Sequence, residues 1–287
     1  MVAVALMWSI AGVVTRQLEA ARSFELTFWR SAFNALALVL ILSWLRGPAV
    51  LQATLRRGGR ALWLSGACWA VMFTAFMVAL TLTTVANVLV TMAIGPLLTA
   101  LGARMALGHR LAPRTWWAIG LAGVGIAWMY GHEFSAGDSR LLLGTAVALA
   151  VPVAAAVNFT LLQHLKGQAD PPDMLSAVLV GALLSAAVAL PLAWPLTASA
   201  HDIGLLAMLG VVQLAIPCLL AVIVARVLSG PEISLLGLLE VVFGVFWAWL
   251  GAGESPSLAV LGGGALVLLA LGGNEALAWR QGRATSR

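Results

Sequence analysis

GPLLTALG at residues 95–102 and GLLEVVFG at residues 237–244 carry glycines at one spacing, Gly95 with Gly102 and Gly237 with Gly244. Seven residues make two turns of an α-helix, so each pair falls on one face, where a second backbone can approach closely. Each stretch sits in a long apolar run. Each is followed by a short loop and a glycine-rich segment, GHRLAPRTWWAIGLAGVG from Gly108 and GESPSLAVLGGGALV from Gly253. Pro113 and Gly120 are spaced like Pro256 and Gly263, although superimposing both signals needs a small gap. The pattern is that of a five-helix unit repeated once, residues 1–138 and 139–287. An odd number of crossings inserts the second copy upside down. Inverted halves of this kind place a substrate site near mid-membrane between them.

The composition around these stretches is that of a polytopic membrane protein. Of 287 residues, 62% are hydrophobic and 9% are charged, with a mean hydropathy of +1.00; a soluble domain carries about a quarter charged residues. Lipid cannot satisfy exposed backbone groups, so apolar runs of about 20 residues must cross as helices. Ten spans are expected, at 1–15, 28–45, 62–80, 84–104, 115–131, 141–163, 174–196, 204–225, 232–251 and 257–279. The fold class is therefore all-α integral membrane, ten transmembrane helices in two inverted five-helix repeats forming one membrane domain. The connectors leave no room for a soluble catalytic domain; the longest, 46–60, reads as a basic turn region, and the polar tail 280–287 as disordered. The first span starts at Met1 without a basic leader and is read as a true helix, not a cleaved signal.

Charge returns between the spans on alternating sides. Arg46, Arg56, Arg57, Arg60, Arg104, Arg110, Arg114, Lys166, Arg226, Arg280, Arg283 and Arg287 fall on one set of flanks, and Arg16, Arg22 and Arg140 on the other. Positive residues stay inside, which puts both termini in the cytoplasm. Glu19, Glu25, Glu133, Asp138, Asp202 and Glu254 lie on the opposite face. The net charge of +5 is thus a topology signal and not a nucleic-acid patch. Cys68 and Cys218 fall inside spans as small hydrophobes, forming neither a disulfide framework nor a metal site.

Ionisable groups at mid-depth are expensive and usually functional. Glu240 is the foremost: counted from Pro231 at 1.5 Å per residue, it lies about 13 Å in. It can meet a substrate ammonium or exchange a proton, or it can serve as a hydrogen-bonded helix contact beside a tightly packed Gly237. Arg30, one turn inside the second span, reads as a snorkelling residue or a helix-end tie in preference to a substrate ligand. Ser9, Asn34, Asn87, Thr91, Asn158 and Gln213 supply neutral donors and acceptors, each alternatively interhelical glue. Trp29, Trp44, Trp63, Trp116, Trp117, Trp194 and Trp279 sit at span ends, where aromatic belts belong. Trp8, Trp69 and Trp247 are placed to line an amphipathic pocket. The expected substrate-binding set is Trp8, Ser9, Trp69, Asn87, Thr91, Asn158, Gln213, Glu240 and Trp247; Gly95, Pro96, Gly102, Gly237 and Gly244 are the expected packing and gating set. Pro96, Pro152 and Pro217 are expected to kink three spans near their middles.

Trp8-Ser9 in the first span, FWR ending at Arg30, Gly95-Pro96 and LLEVVFGVFWAWLGAGE from Leu238 to Glu254, in this order on a 5+5 layout, resemble the drug/metabolite transporter superfamily, EamA-type branch. Within it the chain is most similar to the YddG-type amino-acid exporters. Two positions depart from the pattern: His109 stands where members often have Glu, and Val241 follows Glu240 where many have Pro. The resemblance implies a secondary transporter in a bacterial inner membrane, exporting small metabolites, above all hydrophobic or aromatic amino acids, by alternating access of the two halves. The chain is expected to take no cofactor and no nucleic acid, with the substrate and the bilayer as its partners; a monomer is the working expectation, and the sequence carries no interface signal. No phosphate-binding loop supports ATP coupling, and the sparse intramembrane acids favour weak proton coupling or none. The rival classes are carriers of another metabolite or drug and an integral-membrane lipid-modifying enzyme. The enzyme lacks its motifs: there is no H-E-x-x-H or G-x-S-x-G, and His109, His132, His164 and His201 are scattered.

Overall fold

A computed structural model of the chain describes residues 1–21, 23–108, 113–135, 139–166, 168, 173–228, 233 and 236–285. His109, Asp138 and the expected boundary between the halves at residue 138 lie outside these. Among the described residues the chain is helical, without a strand. The helices are α1 (Val2–Ser9), α2 (Ala11–Thr15), α3 (Ser23–Arg46), α4 (Pro48–Arg57), α5 (Arg60–Leu82), α6 (Val85–Met92) and α7 (Gly95–Leu107). They continue as α8 (Pro113–Ser135), α9 (Ser139–Lys166), α10 (Leu175–Ala193), α11 (Ala200–Met208), a π-helical turn (Leu209–Ala215), α12 (Ile216–Val224), α13 (Leu239–Ala252) and α14 (Leu258–Thr285).

Among the described residues six stretches are long and apolar enough to cross a membrane: Phe24–Arg46, Arg60–Leu82, Val85–Ala106, Ser139–Lys166, Leu175–Ala193 and Ala200–Val224. Shorter apolar helices, Val2–Thr15, Trp116–Gly125, Leu239–Ala252 and Leu258–Asn274, fall on the other four expected intervals. The connector 46–60 is corrected by the structure. It holds α4, which starts after Gly47 at φ 82° with Pro48 in its first turn. Leu51 is buried while Gln52 and Arg56 are exposed, the two-faced character of a helix lying at an interface.

The kink assignments change as well. Pro96 and Pro217 each stand in the first turn of a helix, α7 and α12, where the missing N–H costs nothing. The interruption falls just before them, at Ala93–Ile94 and in the π turn. Of the three, only Pro152 sits inside a continuous helix, α9. The first span also divides, at Ile10.

Helices from the N-terminal and C-terminal parts of the chain pack on one another. α5 lies against α9 and α10, while α12 and the π turn lie against α1 and α3; α7 packs on α9, α13 on α1 and α6, and α8 on α14. Small residues let these helices close up: a Cβ on Gly125 of α8 would meet the Gly263 carbonyl of α14 at 2.7 Å. Hydroxyls tie the apolar interior, with Ser185 Oγ 2.9 Å from both Ser31 Oγ and Thr74 Oγ1.

The two ends are held by different ions. At one, Arg16 Nε donates to Glu254 Oε1 at 2.5 Å, and its Nη atoms donate to the carbonyls of Leu80 and Thr83 at 2.7 and 3.0 Å. Glu254 Oε2 accepts the Val85 N–H at 2.9 Å. On the same flanks by sequence, Asp202 accepts three N–H groups, from Glu19, Ala20 and Ala21, and Glu25 accepts those of Thr197 and Ala198. At the other end Asp173 pairs with Arg46 and Arg226, and Lys166 donates to the Val227 carbonyl.

Candidate functional site

A cavity of about 140 Å³ lies between α1, α3, α5, α6, α7, α9, the π turn, α12 and α13. A hole of this size in an engineered protein accepts a benzene ring. Its walls are mainly apolar: Trp69, Met72, Phe73 and Phe76 from α5, Leu89 and Met92 from α6, Val151, Pro152 and Phe159 from α9. α5 turns this face inward because Trp69, Met72, Phe73 and Phe76 recur at helical spacing, and the Trp69 and Phe73 rings pack with centroids 5.6 Å apart.

Three charged or amide groups interrupt that lining: Arg30, Gln213 and Glu240. Glu240 occupies the first turn of α13 and is 8% exposed. Among the described residues it has neither a hydrogen bond nor an ion pair. The tight contact expected beside it is absent among the described residues: none of them lies within 4 Å of a Cβ built on Gly237. Glu240 therefore borders open space, which is the geometry of a ligand group more than of a helix tie.

Arg30 is 1% exposed and does not snorkel. Its Nη2 donates to the Phe73 carbonyl at 2.8 Å and its Nη1 to Gln213 Oε1 at 3.3 Å. The guanidinium carbon stands 5.6 Å from the centre of the Phe76 ring, within cation–π range. Its Nε is buried without a partner. Gln213 also donates, through Nε2, to the Trp8 carbonyl at 3.2 Å, so this one amide joins α1 to α3. It rides on the π turn, an irregularity found frequently at functional sites. Gly210 in the same turn is pressed on α3: a Cβ there would lie 2.7 Å from the Arg30 carbonyl oxygen.

Of the residues expected from sequence, Trp8, Trp69, Gln213, Glu240, Gly95, Pro96 and Gly237 line this cavity. Five of the expected binding residues do not. Ser9 Oγ donates to the Leu6 carbonyl of its own helix at 2.7 Å. Asn87 Nδ2 donates to Thr83 Oγ1 at 2.9 Å. Asn158 Oδ1 accepts from Ser65 Oγ at 2.6 Å and so links α9 to α5. Thr91 is buried just before the break between α6 and α7, and Trp247 lies higher on α13. Gly102 and Gly244 are packing positions: a Cβ on Gly102 would come within 2.8 Å of Thr160 Oγ1, and one on Gly244 would strike the Leu89 side chain.

The cavity residue that sequence reasoning set aside is Arg30. The signal was present, a lone charge inside an apolar helix, but depth counted from a soft helix end placed it too near the surface. Phe73, Phe76 and Phe159 carried no signal, because an inward-facing aromatic reads like a lipid-facing one. Cys218, buried and free, also lines the wall.

Residues 1–131 match the EamA-like transporter family. The match ends inside α8 and spans a little under half of the chain, including Trp8, Arg30, Trp69, Gly95 and Pro96. A solved structure, a crystal structure of a protein, is similar over nearly the whole length: it covers 96% of this chain and 95% of its own at a TM-score of 0.67, with 19% identity. At that identity the likeness is one of fold. No curated protein matches the chain.

Proposed function

We propose that the chain is a secondary transporter of the drug/metabolite type that exports small amphipathic metabolites, hydrophobic or aromatic amino acids first among them, as the YddG-type exporters do. The family match over residues 1–131 supports the transporter class. The observation that carries the substrate reading is the cavity. An aromatic pocket of ring size, holding a buried carboxylate with no partner among the described residues, suits a molecule with an apolar side chain and an ammonium group.

The architecture proposed is ten spans in two inverted halves, moving against each other around the cavity. The reciprocal helix contacts support it, as does the exchange by which α5 packs on the second half while α12 packs on the first. In this reading the Arg16–Glu254 end faces outward and the Asp173 end faces the cytoplasm of a bacterium, with both termini inside. The working unit is a monomer in the bilayer, with no cofactor and no nucleic acid.

Efflux from proteoliposomes loaded with labelled amino acids, with and without a pH gradient, tests this reading. Selective loss of phenylalanine, tryptophan or leucine is the expected result. Retention of every amino acid by protein that is folded and correctly inserted would remove the amino-acid assignment.

A further inference from the structure

Arg30 brings a positive charge into the cavity with no acid beside it. Among the described residues it forms no ion pair, and Glu240 lines the same cavity without pairing with it. A guanidinium carries five N–H donors. Here one goes to the Phe73 carbonyl and one to Gln213, while the Nε donor is buried and unmatched. An uncompensated charge in an apolar interior is costly, so an arginine kept there suits an anion that arrives from outside.

The surroundings hold the fork still. Gln213 grips Nη1 from the π turn while its own amide is anchored on the Trp8 carbonyl. Gly210, two residues after Met208, brings that turn against the Arg30 backbone more closely than any side chain would permit. A planar fork fixed at two points with a third donor free is matched by a carboxylate, which can accept two parallel N–H bonds.

We propose that Arg30 is the subsite for a carboxylate on the transported molecule and that Gln213 is its positioning residue. The proposal rests on the transport reading above and narrows it: the substrate is a zwitterion, its carboxylate on Arg30 and its ammonium on Glu240. The competing account is structural, with Arg30 merely tying α3 to α5 through the Phe73 carbonyl.

Gln213→Glu separates the two. It is nearly isosteric and sets a carboxylate where an amide oxygen already lies 3.3 Å from Nη1, at the loss of the Nε2 donor to the Trp8 carbonyl. The tie from Arg30 to the π turn is strengthened by it, whereas an anion subsite is filled from within. Purified protein is titrated calorimetrically with phenylalanine, hydrocinnamate, which lacks the ammonium, and phenethylamine, which lacks the carboxylate. The expected result is hydrocinnamate binding to the wild type that weakens about tenfold or more in Gln213→Glu, the size of one hydrogen bond to a charged group, while phenethylamine binds the variant no more weakly than the wild type. Arg30→Gln is expected to lose preference for phenylalanine over phenethylamine; if that variant does not fold, Gln213→Glu alone carries the test.

Hydrocinnamate that fails to bind the wild type, or binds Gln213→Glu equally well, overturns the subsite. Equal export of phenethylamine and phenylalanine by the wild type also overturns it while leaving a transporter. Carboxylate binding that responds as expected, in protein that exports no amino acid, keeps the subsite and removes the amino-acid assignment.

Discussion

The stretches 95–102 and 237–244 use their glycines alike and their intervening residues differently. In each, the first glycine borders the cavity: Gly95 has only Pro152 Cβ near it, at 3.8 Å, and Gly237 has nothing within 4 Å. In each, the second glycine is a packing position, Gly102 against Thr160 and Gly244 against Leu89 and the Ser9 carbonyl. Three residues after the first glycine the two part. Glu240 lines the central cavity, whereas Leu98 lines a peripheral apolar groove between α7 and α9 beside Val157 and Met105. The shared glycines are architecture, and the unshared position between them is where chemistry differs.

The largest effect should come from that unshared position. Glu240→Gln keeps the volume and removes the charge, so transport of an ammonium-bearing substrate should fall by about 10–100-fold, as for loss of a charge-assisted hydrogen bond in a dry site. Leu98→Gln, at the matching place in the other half, should leave efflux unchanged. Equal losses from the two would mean that Glu240 matters through packing and not through its charge.

Next come the packing glycines. Gly244→Val drives a branched side chain into Leu89, and Gly102→Val into Thr160; each should cost about 1–3 kcal/mol by overpacking. Melting curves in detergent measure this directly. The pair should respond with similar size, since both stand at helix crossings, and a loss at one site only would break the equivalence of the two stretches.

This division explains what could be read without coordinates. Apolar length and the return of charge between spans fix helix positions, because lipid leaves the backbone no alternative; all ten intervals therefore land on apolar helices. The amphipathic α4 was hidden because ten residues with arginines at one end look like a loop on a hydropathy scale. The lining of the cavity was half legible. Trp8, Trp69, Gln213 and Glu240 reach the cavity, but polarity at mid-depth does not reveal azimuth. Asn158 and Ser9 are as deep and as polar, yet they spend their hydrogen bonds on Ser65 and on a backbone carbonyl. Arg30 was judged by its distance from a helix end, while its surroundings depend on a π turn some 180 residues later that no local pattern announces.

The charged end of the second stretch offers a smaller contrast. Glu254 follows α13 and bonds both Arg16 and the Val85 amide, joining the end of α13 to the start of α6. Glu254→Gln keeps one acceptor and loses the ion pair. Both side chains are partly exposed, so the cost should be about 1 kcal/mol or less, smaller than at the packing glycines. A loss as large as that of Gly244→Val would show that this end carries the junction between the halves.

The smallest change should also reverse the sign. Gly237 and Gly244 belong to one motif, and alanine is the gentlest substitution for both. At Gly244 the new methyl strikes Leu89, so Gly244→Ala should destabilise. At Gly237 the methyl enters open cavity, and its backbone is already helical. Alanine restricts the unfolded chain more than glycine and favours the helix, so Gly237→Ala should stabilise by about 0.5–1 kcal/mol. The same methyl also takes volume beside Glu240, and the bulkiest aromatic substrates should therefore lose affinity before smaller ones. A lower melting temperature for Gly237→Ala would mean that the space beside Glu240 closes in the membrane, and the acid would then be a packing group after all.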